Sequence, residues 1–295
     1  MKIDAVFSGG GVKAFAFLGA LEILEEKNYR LERVGGTSAG AILASLLAAG
    51  YHVGEIKELF FSLDLKTFLD PPFYARKYSP LKLLSIYWNK GLYKGDRFER
   101  WIELRLREKG VVTFNDLRKG YLKVVASDLT KGRLVVLPDD LERLYHIDPA
   151  QFSVAKAVRM SAGFPYFFMP EKLKNDEKAI SYLVDGGLLS NFPLWLFKNK
   201  QKTTRPVIGA TLSETVEQQQ PELIHNGVDM LQAIFKTMLK AHDTRYISVK
   251  KSKDIIFIPV KEIKTVDFTI DELTKNKLIQ LGRKRTEQFL KTWTF

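Results

Sequence analysis

Three short stretches of this sequence carry residue types that can do chemistry together. The first runs Val34-Gly35-Gly36-Thr37-Ser38-Ala39-Gly40 and contains Gly-x-Ser-x-Gly. A serine in that setting is a nucleophile when it sits on a tight turn from strand to helix. Gly36, Ala39 and Gly40 are small enough for such a turn. The amides and dipole of the following helix then favour negative charge at Ser38. A glycine-rich turn that merely packs is the plainer reading of the same residues.

The second stretch is Gly9-Gly10-Gly11-Val12-Lys13-Ala14. As Gly-x-Gly-x-x-Ala it is a weak dinucleotide fingerprint. That reading needs an acidic residue about 20 positions on, at the end of the second strand, and the serine turn stands there instead. As a row of amides crowding one anion it is an oxyanion hole, each donor being worth about 3 kcal/mol in a transition state. The third stretch is Val184-Asp185-Gly186-Gly187. Asp-Gly alone is a turn former. Beside the other two stretches it supplies a carboxylate at a strand end, on the face of a parallel sheet where sites form. One serine, one carboxylate and one amide-rich loop are a minimal set for acyl transfer.

The usual proton acceptor for a nucleophilic serine is histidine. This chain has four, His52, His146, His225 and His242. In the α/β-hydrolase order the histidine follows the serine and the acid, which points to His225 or His242. Neither lies in a turn-rich strand-end loop, and His242 falls in the helical pattern Met238–Tyr246. An elbow after only the second strand is also early for that fold. A Ser–His–Asp esterase or thioesterase stays an alternative.

The elements that must position these stretches follow from the pattern. Ile3 to Phe7 is a short apolar strand that ends at Ser8 and three glycines. Val12 to Lys27 reads as a helix, with Phe15, Leu18, Leu21 and Leu24 at helical spacing. Leu31 to Val34 reads as a second strand and Ala39 to Ala49 as a buried helix of small apolar residues. Strand, helix, strand, helix is the pattern of a parallel sheet with right-handed crossovers. The glycine loop and Ser38 then leave the same ends of neighbouring strands.

Farther on, helix-like segments flank Asp70–Pro80, and two strands flank a turn at Thr130 to Gly132. Val154 to Ser161 reads as a helix stopped by Gly163 and Pro165. Strands are expected at Tyr182–Val184, Val207–Leu212 and Ile255–Val260, with a polar break at Ser213–Pro221 and a basic helix from about Ile270 to Lys291. No repeat or boundary interrupts the chain. The expectation is one domain over 1–295, with the motifs in about 1–212 and a C-terminal helix–strand–helix of 221–295 packed on them.

Composition narrows the classes. Of 295 residues, 45% are hydrophobic and 27% charged, which suits a folded domain. With no cysteine, disulfides, thiolate metal sites and a cysteine nucleophile are excluded. The net charge of +12 favours anionic partners. Its basic residues are spread, with only small clusters at Lys250-Lys251 and Arg283-Lys284-Arg285. That suits a mildly basic face meeting lipid head groups better than nucleic acid. No apolar run is long enough to cross a bilayer. Phe15–Leu21 resembles a signal h-region, but it is short, Asp4 and three glycines stand between it and Lys2, and it runs straight into Glu22, Glu25 and Glu26, so no signal peptide is expected. The expected location is the cytoplasm, with peripheral access to a membrane.

The three stretches, in this order, resemble the patatin-like phospholipase family: Gly9-Gly10-Gly11-Val12-Lys13, then Gly36-Thr37-Ser38-Ala39-Gly40, then Asp185-Gly186-Gly187. Lys90–Trp101, Ala126–Pro138, Val158–Phe168 and Val266–Gly282 are similar to the family too, so the resemblance spans most of the chain. It departs at Ala14, where the family usually has glycine, and at Ser8, where plant patatins tend to have an acidic residue.

The resemblance implies an α/β fold, a three-layer α/β/α sandwich with a mostly parallel central sheet. It implies a lipid acyl hydrolase that needs no metal or cofactor. Carried over, Ser38 is the nucleophile and Asp185 the general base of a dyad without histidine. Gly9, Gly10, Gly11 and Val12 give the oxyanion hole, supported by Lys13, Gly36, Ala39, Gly40, Gly186 and Gly187. Burial must raise the Asp185 pKa from about 3.9 for it to serve as a base. The substrate is then a phospholipid or another acyl lipid. The aromatic segment Phe60–Tyr93, which also carries Lys and Arg, is expected to cover the site and meet an anionic membrane surface. An ordinary pair of core helices is the plain reading of that segment, and a catalytically weak lipid-binding or regulatory protein is a further alternative for the whole.

Overall fold

A computed structural model describes residues 1–74, 80–174, 179–198, 205–212, 252–260 and 270–294, with isolated positions between 224 and 238. The polar break, His225, His242 and the start of Val266–Gly282 lie outside the described residues.

The centre is a sheet. Five strands lie side by side and parallel, in the order β10 (Ile255–Phe257), β9 (Val207–Thr211), β1 (Lys2–Phe7), β2 (Arg30–Thr37) and β4 (Leu122–Asp128). Three more are antiparallel additions: β5 (Arg133–Leu137) on β4, β8 (Ile180–Asp185) on β4, and β7 (Glu171–Lys174) on β8. Two short strands, β3 (Gly91–Tyr93) and β6 (Tyr166–Phe168), pair apart from the sheet. Strands of three or four residues are too short to show alternation, which is why β3, β6 and β7 are not legible in the sequence.

Along β1 the side chains alternate between two cores. Ile3, Ala5 and Phe7 join the large core under the helices, while Val6 joins a smaller one with Val125, Phe192 and Leu194. Burial on both sides explains why these strands read as continuous apolar runs. Around the strands lie helices α1 (Phe15–Glu26), α2 (Ala39–Ala48), α3 (Val53–Ser62), α4 (Pro80–Asn89), α5 (Asp96–Glu108), α6 (Leu141–Tyr145), α7 (Val154–Ser161) and α8 (Glu272–Thr292), with short 3-10 turns between elements. The expected helix from Val12 instead opens as a 3-10 turn, Gly11–Ala14, and becomes α-helical at Phe15. Its entry explains this: Gly11 has φ 55°, a left-handed conformation that cannot begin an α-helix.

The C-terminal helix is tied to the motif-bearing part by a close crossing with α1. A methyl group on Gly19 would lie 1.9 Å from the Ile279 carbonyl oxygen, and one on Gly282 would lie 1.9 Å from that of Ala16. Each helix therefore touches the other's backbone at a glycine. Arg283, next to the crossing, bonds Glu22 at 2.8 Å and Glu26 at 2.8 Å.

Candidate active site

Ser38 occupies the single residue between β2 and α2, at φ 54° and ψ −123°. Side-chain-bearing residues avoid that region, and holding one there costs about 1–3 kcal/mol. The surroundings impose it. A methyl group on Gly36 would lie 2.6 Å from the Gly40 carbonyl carbon, and one on Gly40 would lie 2.3 Å from the Phe7 carbonyl oxygen. The Ser38 carbonyl accepts the N–H groups of Ala41 at 2.9 Å and Ile42 at 3.1 Å. Its own N–H donates to Ser161 Oγ at 3.0 Å.

Strand register brings Asp185 to the same place. Val124 and Val125 of β4 partner both β2 and β5, while Ala126 to Asp128 partner both β5 and β8. So β5 holds one edge of β4, and β2 and β8 share the other. They meet on it end to end: Thr37 lies opposite Val125, and Asp185 lies opposite Ala126, one position on. The chain can pass only because Gly186 lacks a side chain, since a methyl group there would lie 2.2 Å from the Val125 carbonyl oxygen. This corrects the expectation that Asp185 ends a parallel strand. It ends an antiparallel one that runs head-on into β2.

The loop after Asp185 ties the three motifs into one hydrogen-bonded body. Thr37 Oγ1 donates to the Ser190 carbonyl at 3.0 Å. The Gly9 N–H donates to the Asn191 carbonyl at 3.1 Å. That bond alters the reading of the glycine loop, because Gly9 has no amide left for an oxyanion. The amides of Gly10, Gly11 and Val12 open the 3-10 turn and have no backbone acceptor among the described residues. Ser8, one of the two departures noted in the sequence, is buried and accepts the Leu212 N–H at 3.3 Å. Ala14 is buried at φ −60°, so the usual glycine is not needed for its conformation.

A cavity of about 130 Å³ opens over these residues. By the same measure one water needs about 10–15 Å³, so the space takes a chain. Gly11, Val12 and Ala14 form one wall, and Phe60, Phe68, Phe98 and Phe167 are among those that form the rest. Besides the indole of Trp101, the only polar side chains among its lining residues are Ser38 and Asp185. Asp185 is 3% exposed. Burial pushes its carboxyl up to about 7, against the opposing effects of a hydrogen bond with the Ser38 side chain and one from the Gly187 N–H. The latter measures 2.8 Å.

The two described histidines stand elsewhere. His52 is exposed, 3.8 Å from Glu25, and His146 is exposed after α6; neither lines the cavity. The Phe60–Tyr93 segment divides in two. Phe60 and Phe68 face the cavity and Phe61 meets the Phe15 ring edge-on at 5.8 Å. Phe73, Tyr87 and Trp88 are exposed, at 87%, 81% and 62%. Sequence reasoning missed Ser161, Gly163 and Asn191. A lone serine at a helix end and a loop asparagine carry no spacing signal.

A family model for patatin-like phospholipases matches residues 5–198. YqhO of Bacillus subtilis (strain 168) is 50% identical over the whole of both chains. The probable lipid hydrolase 463L of Invertebrate iridescent virus 6 is 27% identical over 72% of this chain and 71% of its own. Among solved structures, VipD from Legionella pneumophila superposes with a TM-score of 0.58 at 20% identity, covering 99% of this chain and 67% of that one. ExoU of Pseudomonas aeruginosa, in complex with SpcU, gives 0.56 at 18% identity over 98% of this chain. This chain spans 51% of the length of ExoU. At these identities the two structures speak for the fold.

Proposed function

The chain belongs to the patatin-like phospholipase family, and from that premise we propose that it hydrolyses carboxylic esters of phospholipids or related acyl lipids through a Ser38–Asp185 dyad. One observation carries the reading. An otherwise apolar cavity holds a strained serine hydrogen-bonded to a buried carboxylate whose pKa stands at about 7.

The acyl chain lies along the aromatic wall with its carbonyl carbon over Ser38 Oγ. Ser38 attacks, and its proton passes to Asp185. The oxyanion is held by the amides of Gly10, Gly11 and Val12. The intermediate collapses, the alkoxide leaves with the proton from Asp185, and the acyl group stays on Ser38. Water then attacks the acyl-enzyme, giving its proton to Asp185. Breakdown of the second intermediate returns that proton to Ser38 Oγ and frees the fatty acid. A pKa near 7 matches the base to neutral pH, where proton transfer is most effective. Lys13 fits a supporting role, since its ammonium bonds the Val260 carbonyl at 3.4 Å and fastens the turn.

Access to lipid comes from the exposed aromatics. Asn89, after Trp88, is hydrogen-bonded to the Tyr74 hydroxyl, which joins α4 to the Phe73 loop. Aromatic side chains on a basic protein suit the interface of an anionic membrane. The described residues contain no helix long and apolar enough to cross one.

The test is turnover of a short p-nitrophenyl ester and a fluorogenic phosphatidylcholine by the parent and by Ser38→Ala. Both activities should be present in the parent and fall at least 10³-fold in the variant, in line with loss of a nucleophile. A Ser38→Ala protein that keeps either activity contradicts the reading. So does a parent that binds vesicles and turns over neither substrate.

A further inference from the structure

The last turn of α7 touches both halves of the dyad, through their backbones. Ser161 is fully buried. Its hydroxyl donates to the Val125 carbonyl at 2.6 Å. The proton thus committed, a lone pair faces Ser38 and accepts that residue's N–H at 3.0 Å. Two residues on, the Gly163 carbonyl accepts the Asp185 N–H at 2.9 Å. Ala162, between them, lines the cavity. Val125 is also the residue opposite Thr37 in the sheet, and its carbonyl lies against Gly186. Ser38 follows the last residue of β2 and Asp185 ends β8, two strands that only abut, so nothing in the sheet's own ladder bonds one to the other. The Ser161–Gly163 turn spans that break.

We propose that Ser161 is a positioning residue for ester hydrolysis, holding the Ser38 backbone in its strained conformation so that the Ser38 hydroxyl meets the Asp185 carboxylate. The role rests on the dyad reading above. It differs from plain packing in what it predicts. Without the Ser161 hydroxyl the Ser38 amide loses its buried acceptor and the turn relaxes. The Ser38–Asp185 hydrogen bond then weakens, and Asp185 holds its proton more tightly, because that bond favours its charged form. The cavity walls stay in place.

The experiment compares Ser161→Ala with the parent on a soluble p-nitrophenyl ester between pH 5 and 9. A second variant, Val158→Ala, removes buried volume from the same helix and leaves the Ser161 hydroxyl in place. Ser161→Ala should lose at least tenfold in kcat with KM within twofold. The rising limb of its kcat/KM profile should move to higher pH. Val158→Ala should lower Tm while keeping kcat and the limb near the parent's. Ser161→Cys, which keeps the volume and a weak acceptor, should fall between parent and Ala, and it stands in if the Ala variant does not fold. An unmoved limb with kcat within threefold of the parent overturns the proposal. So do equal losses in Ser161→Ala and Val158→Ala. Ser38→Ala and Asp185→Asn are run alongside. If they retain turnover, the dyad reading itself has failed. If they lose it while Ser161→Ala is normal, only the positioning role has.

Discussion

At the scale of single residues, the site depends on placing a carboxylate where charge is unfavourable. Asp185 is desolvated, and that burial is the largest influence on its raised pKa. The proposed mechanism needs Asp185 ionised, so kcat/KM should rise with pH along a limb centred near 7. The same shift has a stability consequence. Between about pH 4 and 7 the folded state binds the Asp185 proton more tightly than the unfolded chain does, so stability falls as pH rises through that window and levels off above it. Asp185→Asn keeps the shape and removes the charge. It should be inactive yet melt higher than the parent at pH 8, by on the order of 5 °C, with the difference vanishing near pH 4. Calorimetry at both pH values checks this. Ser38 and Asp185 were legible as candidates in the sequence because glycines flank Ser38 on both sides and two follow Asp185; the fold shows the close backbone approaches that require Gly36, Gly40 and Gly186. Gly9 was legible as part of a loop but not in its role, since only the fold brings the Asn191 carbonyl to its amide.

At the scale of elements, the decisive feature is the shared edge of β4, where β2 and β8 end against each other. The sequence reads both as strands that end in glycine-containing turns. It does not give the direction of β8, because the short apolar stretch Tyr182–Val184 looks alike whichever way it enters a sheet. The α1–α8 crossing was hidden for a related reason. Gly19 and Gly282 are single glycines inside helical patterns, and the partner that demands each lies more than 250 residues away. That crossing yields a prediction. Gly282→Ala inserts a methyl into the Ala16 carbonyl and should cost about 1–3 kcal/mol, the range for an overpacked contact. Urea unfolding of the full chain measures it. An unchanged midpoint would mean the helices do not approach as described.

At the scale of the whole molecule, the net charge of +12 and the exposed aromatics bear on how substrate is reached. Tyr87 and Trp88 lie outside the cavity, whereas Phe60 and Phe68 line it. Charging the former should therefore separate surface from chemistry. Tyr87→Glu with Trp88→Glu should reduce hydrolysis in anionic vesicles at least ten times more than hydrolysis of a soluble ester, and added salt should act in the same direction. Equal losses on both substrates would count against a membrane-facing role for this surface.

The measurement closest to the central claim is covalent labelling with a fluorophosphonate, followed by peptide mass mapping. The reagent needs an activated serine and an oxyanion hole, which are the two things the elbow and the glycine loop are proposed to supply. The account predicts one adduct per chain, on Ser38, forming faster as pH rises through 7 and absent from Asp185→Asn. An adduct on another serine, or rapid labelling of Ser38 in the Asp185→Asn protein, would contradict it.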